Sequence, residues 1–162
     1  MKINNILEGI GNTPIVRLAK LFPNANVWMK LEKSNPGGSI KDRIALSMIE
    51  DAEKNGTLKP GQTVVEATSG NTGIALAAIA KMKGYPITIL MPTSVSVERR
   101  QMLEVFGADI ILTPGEEGSN GAVSRAQEMA AQHPEWCFLY QYGNDANPRA
   151  HYETTGPEIY RD

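Results

Sequence analysis

The chain is poor in several residue types that mark whole classes of protein. It has one cysteine, Cys137, which excludes an internal disulfide framework. Its two histidines, His133 and His151, fall in no metal-ligand spacing. Charge of one sign is lacking as well. Sixteen Lys and Arg against 18 Asp and Glu leave a net charge of -2 with no basic cluster, which argues against a nucleic-acid or anionic-membrane surface. No hydrophobic run is long: Gly73 to Ala80 is less than half a membrane span. The opening Met1-Lys2-Ile3-Asn4-Asn5 has neither a hydrophobic signal region nor an Arg-rich transit pattern. These absences predict a soluble, cytoplasmic protein without nucleic-acid or membrane partners. What is present suffices for one core, since 41% of the 162 residues are hydrophobic and 21% charged. Cys137 lies in the apolar run Trp136-Cys137-Phe138-Leu139 and reads as a core thiol.

Two periods alternate along the chain. Pro14 to Leu18 and Val27 to Leu31 read as short strands around a loop containing Pro23. After the turn-rich Ser34-Asn35-Pro36-Gly37-Gly38, the spacing predicts a helix from Ser39 to Asn55-Gly56. Ser39 would cap it, Asp42 would stand where a capping-box acid does, and Ile44, Ala45, Met48, Ile49 and Ala52 would form its apolar stripe. Thr63 to Ala67 is a predicted strand, Thr68 to Gly73 a turn, and Ile74 to Lys83 an Ala-rich helix ended by Gly84. Pro86 to Met91 is a strand apolar enough to be covered on both faces. Then come a helix capped by Ser96 and ending at Gly107, a strand at Ile110 to Leu112, a helix at Gly118 to Gln132, and a strand at Trp136 to Tyr140. Pro148 would stand in the first turn of a last helix. Strands separated by helices imply parallel pairing, hence a three-layer α/β sheet that binds ligands at the carboxyl ends of its strands.

Two loops there can carry chemistry. Thr68-Ser69-Gly70-Asn71-Thr72-Gly73 leaves a strand and opens a helix, with hydroxyls, two glycines and the positive end of a helix dipole. It suits a carboxylate or phosphate, although a capped turn with solvated hydroxyls would look the same. It lacks the glycine spacing of a dinucleotide loop and the Gly-Lys-Ser/Thr of a nucleotide loop. Lys41 lies in the first turn of the helix that follows Ser39, where a cation opposes the dipole. A lysine held against that field and partly removed from water favours the neutral amine, the form that attacks a carbonyl. The alternative is a solvent-facing lysine beside Asp42. Asp42 and Arg43 read as structural, through a cap and an ion pair.

Taken together, the motifs point further. Asn35-Pro36-Gly37-Gly38-Ser39-Ile40-Lys41-Asp42-Arg43 resembles the lysine motif of the cysteine synthase (O-acetylserine sulfhydrylase) family, pyridoxal-phosphate enzymes to which cystathionine β-synthase also belongs. Thr68 to Gly73 is similar to that family's substrate loop, and Gly11-Asn12-Thr13-Pro14 to its opening signature. Glu98-Arg99-Arg100, Gln141-Tyr142-Gly143-Asn144 and Thr154-Thr155-Gly156-Pro157-Glu158-Ile159 match in the same order. The resemblance implies that Lys41 holds pyridoxal 5'-phosphate through a Schiff base and, once freed, removes the substrate's α-proton. It implies that Asn71 hydrogen-bonds the ring's phenolic oxygen, and that Thr68, Ser69, Asn71, Thr72 and Gln141 surround the α-carboxylate. The implied reaction is β-replacement, in which an activated serine such as O-acetylserine loses its leaving group and sulfide adds to give L-cysteine.

Family members run to about twice this length in two α/β domains. The resemblance therefore makes residues 1–162 the N-terminal portion of such an enzyme, with 35–147 the substrate-loop α/β domain and 13–34 a hairpin belonging to the second domain's sheet. The family's phosphate-holding loop and pyridine-nitrogen partner have no counterpart here. We expect the 162-residue chain alone to be weakly active or inactive, its other half being supplied by a longer sequence or by another chain, and the full-length form to be a homo-oligomer. The alternatives are a cystathionine β-synthase-type replacement and a non-catalytic module that keeps the anion loop and works by association.

Overall fold

A computed structural model of the chain describes residues 2–162. Two sheets form, and they are not continuous with each other. Ile15–Arg17 (β1) and Trp28–Lys30 (β2) make an antiparallel hairpin, with Val16 opposite Met29. Val64–Ala67 (β3), Ile87–Pro92 (β4), Asp109–Thr113 (β5) and Cys137–Phe138 (β6) make a parallel sheet in the order β5-β4-β3-β6. All six residues of β4 are buried, as its near-continuous apolar character predicts for a strand covered on both faces, and so are all four of β3, Glu66 included.

The helices are Lys41–Asn55 (α1), Asn71–Lys83 (α2), Val97–Val105 (α3), Gly118–Gln132 (α4), Ala146–Ala150 (α5) and Gly156–Arg161 (α6). A π-turn, His151–Thr155, joins the last two. One face of the sheet, with Val64, Ile87, Ile89 and Met91, packs against α1, α2, α3 and α5. The other, with Val65, Ala67 and Leu90, packs against α4 through Ala122 and Ala126. The three-layer expectation holds, and handedness explains the unequal covering. From β3 to β4 to β5 the chain moves one way across the sheet, so right-handed crossovers put α2 and α3 on one face. From β5 it returns past β3 to β6, so α4 falls on the opposite face. The order thus reverses at β3, and the crevice between the carboxyl ends of β3 and β6 is the switch point at which such sheets bind ligands.

The α1 stripe behaves as its spacing predicts: Ile44, Ala45, Met48 and Ile49 are fully buried, and Gly56 ends the helix in the left-handed region (φ 79°). Burial of each large aliphatic side chain is worth roughly 1.5–3 kcal/mol. The α2 helix is Ala-rich because it lies between α1 and the sheet, where small side chains allow close approach.

Three local expectations need correction. The α2 helix starts at Asn71 rather than Ile74, so the turn is only Thr68–Gly70, and Asn71 and Thr72 occupy the first helical turn. The α1 helix starts at Lys41 rather than Ser39. Ser39 Oγ accepts the Lys41 N–H at 3.1 Å, while the Asp42 carboxylate reaches past the cap to the Gly37 N–H. Strand β6 stops at Phe138, short of Tyr140, which turns the chain at a positive φ of 51°. Ser96 does precede α3, without a side-chain capping bond.

The hairpin leaves apolar side chains poorly covered. Val16, Trp28 and Met29 are each about half exposed, whereas Val27 is partly covered. No helix among the described residues is long and apolar enough to cross a membrane.

Candidate active site

Lys41 is the first residue of α1 and is half-buried. The segment before it is pinned by Asn35, itself buried. Asn35 Oδ1 accepts the Gly11 N–H at 2.8 Å, and its Nδ2 donates to the Glu32 carboxylate (2.9 Å) and the Ser39 carbonyl (3.1 Å). One more side chain on, Arg43 grips two carboxylates. Its Nε and Nη2 donate to Glu32 at 2.8 and 2.9 Å, and its Nη1 and Nη2 donate to the two oxygens of Glu158 at 2.7 Å each. Lys30 of the hairpin adds a 2.9 Å ion pair to Glu158, and the Asn12 N–H donates to the same carboxylate at 2.9 Å. Arg43 thus ties the hairpin, the Gly11–Thr13 turn, α1 and α6 into one network, a fuller form of the ion pair expected for it.

The electrostatics follow from that geometry. The hydrogen bonds from Arg43 hold Glu158 at about 2, against the upward push of burial. Burial also pushes Glu32 up, but hydrogen bonds from Arg43, Thr13 and Asn35 outweigh it and keep the carboxyl below its ordinary value. Asp42 lacks a comparable cation, and burial raises it.

The second cluster stands at the switch point. Thr68, Thr72 and Gln141 are buried, Ser69 is half-buried and Asn71 is exposed. Thr72 Oγ1 donates to Gln141 Oε1 at 2.9 Å, and Gln141 Nε2 donates to the Ala67 carbonyl at 3.2 Å. Thr68 Oγ1 accepts the Gly70 N–H at 3.2 Å, and its methyl lies 2.8 Å from where a Cβ on Gly73 would be, so only glycine fits there. Asn71 and Thr72, in the first turn of α2, have no carbonyl four residues back within the helix, so their N–H groups point to the crevice with the positive end of the dipole. The structure therefore joins Thr72 and Gln141 by a direct hydrogen bond and sets Thr68, Ser69 and Asn71 beside them at the same strand–helix junction, while Lys41 stands on the separate element α1.

Several residues escaped the sequence reading. Glu66 in β3 is fully buried beneath the turn, its Oε1 accepting the Ala67 N–H at 3.0 Å and its Oε2 the Gln141 N–H at 3.1 Å. Burial pushes it to about 7, against those hydrogen bonds. A lone charge in an otherwise apolar strand was the available signal. His151, on the π-turn, is lowered first by burial and then by the positive charges of Lys41 and Arg43, which places it in the electrostatic surroundings of the lysine. Asn147 Nδ2 holds the Gln141 carbonyl at 2.9 Å, and Arg99 Nη1 holds the Ser69 carbonyl at 3.0 Å. Cys137 is buried, and burial pushes its thiol up, in keeping with a core role.

A lysine in a polar clamp and a hydroxyl-amide cluster at a helix N-terminus define an α/β unit equipped for an aldehyde and a carboxylate. The lysine amine, the exposed Asn71 amide and the hydroxyl turn are a donor set that fits pyridoxal phosphate and an amino acid. Comparison with known proteins makes this specific. The sequence profile of the family described as "Pyridoxal-phosphate dependent enzyme" matches residues 6–162, and the chain belongs to that family. It is 53% identical over 163 residues to a cysteine synthase from a Flavobacterium species, covering 100% of this chain and 53% of that protein. With cysteine synthase B of Escherichia coli it shares 52% over 161 residues, covering 98% and 53%. The solved structure of an O-ureido-L-serine synthase superposes with a TM-score of 0.96 at 48% identity, over 100% of this chain and 51% of that one. The chain spans about half the length of the relatives it matches.

Proposed function

We propose that this chain carries the lysine and carboxylate half of a pyridoxal-phosphate enzyme that makes L-cysteine from O-acetylserine, or another activated serine, and sulfide. The observation that carries the proposal is the Thr72–Gln141 hydrogen bond beside the Thr68–Gly70 turn at the switch point, next to the N-terminus of α2, in a chain that also pins Lys41 in the first turn of α1. The names of the relatives support the reaction class.

In this reading Lys41 Nζ would hold the cofactor, and the same amine, when free, would take the proton from the substrate's Cα. The Asn71 amide hydrogen-bonds the ring oxygen. Thr68, Ser69, Asn71, Thr72 and Gln141 bind the α-carboxylate, aided by the α2 dipole. The bound cofactor supplies the electron sink that lets the β-substituent leave and a sulfur nucleophile add. Inward movement of the Thr68–Gly70 turn on carboxylate binding excludes water from the reacting carbon. Hairpin residues 13–34 dock against a second α/β unit, within the same polypeptide or on another chain, and residues 35–147 form the substrate-loop domain. Support for the docking comes from the separate two-stranded sheet with its half-exposed Val16, Trp28 and Met29.

Borohydride reduction followed by intact mass and peptide mapping tests this. One phosphopyridoxyl group at Lys41, lost in Lys41→Ala, together with cysteine formation from O-acetyl-L-serine and sulfide, is the expected result for the chain assembled with its second domain. An assembled protein that takes up no cofactor at Lys41 would replace this reading with a non-catalytic anion-binding module. Turnover with homocysteine in place of sulfide would move it to the cystathionine β-synthase type.

A further inference from the structure

The parallel ladder between β3 and β6 runs from Cys137 N to the Thr63 carbonyl (2.8 Å) and from Leu139 N to the Val65 carbonyl (3.2 Å). Its next rung would be Gln141 N to the Ala67 carbonyl. The left-handed Tyr140 turns the chain just before that point, and the rung is exchanged between backbone and side chains. The Gln141 N–H goes to Glu66 Oε2 at 3.1 Å, and the Ala67 carbonyl, left without its strand partner, takes Gln141 Nε2 at 3.2 Å. Glu66 Oε1 accepts the Ala67 N–H at 3.0 Å, so both carboxylate oxygens are occupied by backbone donors of the two strands.

This exchange fixes the orientation of the Gln141 amide. The Ala67 carbonyl can only accept, so Nε2 must face it, and Oε1 then receives the Thr72 hydroxyl. One N–H of Nε2 is used on Ala67, and among the described residues no acceptor takes the second in good hydrogen-bond geometry, although the amide lies near enough to Glu66 to help hold its carboxyl down. We propose that Glu66 is a positioning residue of the carboxylate site: by taking the Gln141 backbone N–H it frees the Ala67 carbonyl to lock the Gln141 amide as a donor to the substrate carboxylate. The proposal rests on the carboxylate-site reading above and adds to it a residue that touches neither substrate nor cofactor. The geometry calls for an acceptor on both arms. A glutamine in place of Glu66 would set its NH2 group against one of the two backbone N–H groups, and Gln141 N–H would return to Ala67 and displace the side-chain amide.

The test uses the full-length, cofactor-loaded protein carrying this sequence, with L-serine as the carboxylate probe and ethanolamine, the same molecule without the carboxylate, as the control. Glu66→Gln is expected to weaken L-serine binding about tenfold, the effect of one charge-assisted hydrogen bond, while ethanolamine affinity and cofactor content stay unchanged. In a Gln141→Ala background the same substitution should change L-serine affinity no further. Unchanged L-serine affinity, equal loss for both probes, or a loss that persists without Gln141 overturns the proposal. Should Glu66→Gln not fold, hydrogen exchange of the Gln141 amide in the unaltered protein decides. Protection comparable to Leu139 supports the exchanged rung, and exchange at the rate of an open loop overturns it. An unaltered protein that binds the two probes equally removes the carboxylate-site reading itself, and Glu66's role with it.

Discussion

The segment leading into Lys41 and the turn leading into Asn71 each open a helix, yet they are held in opposite ways. Ahead of Lys41, Asn35 bonds to three other parts of the chain, Asp42 fills the space over Gly37, and Arg43 locks two carboxylates. The Thr68–Gly70 turn is held by its own threonine and by an exposed Arg99 on its Ser69 carbonyl, and its Gly70 has room around it. The first arrangement suits a group that must stay at a fixed covalent anchor. The second suits a surface that must close on a ligand and open again. In physical terms, the Lys41 side stores its stability in buried charge pairs, which are costly to break singly, and the Thr68–Gly70 side keeps few bonds to break.

The largest way to break this contrast is Arg43→Ala. It leaves Glu158 and Glu32 without their cation, and removing one partner of such a buried network costs about 3–5 kcal/mol. Denaturant melts should show that loss. Arg99→Ala at the other loop should leave the melt within about 0.5 kcal/mol, as for an exposed side chain.

A pH titration of stability separates the two regions next. Glu158 is held at about 2 in the folded chain, so its contribution is complete above the unfolded carboxylate value and is lost as pH falls from there toward 2. Glu66 is raised to about 7, so the folded state binds the proton more tightly than the unfolded one. Its sign is therefore opposite: stability is greatest at and below the unfolded value and declines as pH rises through 7. Each limb is on the order of 3 kcal/mol. Glu66→Gln should flatten the limb between about pH 5 and 7 and leave the acid limb in place.

The smallest effects sharpen the comparison at single atoms. A Cβ on Gly37 would lie 2.6 Å from an Asp42 oxygen, whereas one on Gly70 would meet only Arg99 Nη1 at 3.5 Å. Gly37→Ala should cost about 1–3 kcal/mol by overpacking. Gly70→Ala should be within about 0.5 kcal/mol of the parent in thermal melts.

Much of the frame was legible because it depends on near neighbours in sequence. The α1 stripe, the Gly56 and Gly84 stops, the doubly buried β4 and the bounds of α4 all follow from periodicity and backbone preference. The errors fall where long-range contacts compete with local rules. Thr68 to Gly73 looked like a six-residue turn, but the packing of α2 against α1 and the sheet extends the helix back to Asn71. Trp136 to Tyr140 looked like a full strand, but the left-handed Tyr140 cuts it short so that Gln141 can meet Glu66 and Thr72. Arg43 was read as one half of an ion pair, and its main partner Glu158 lies more than a hundred residues away in sequence, beyond any spacing rule.

The sequence by itself determined the period of each helix and strand, the parallel α/β class, the lysine motif and the hydroxyl turn, because these rest on local geometry and on short motifs. Only the tertiary structure decided which residues share the crevice. The strand order that reverses at β3 brings Gln141 beside Thr72, and the folding of α6 back onto α1 gives Arg43 its carboxylate. Those contacts are made by burial and charge pairing across the whole chain, and neighbours in sequence carry no record of them.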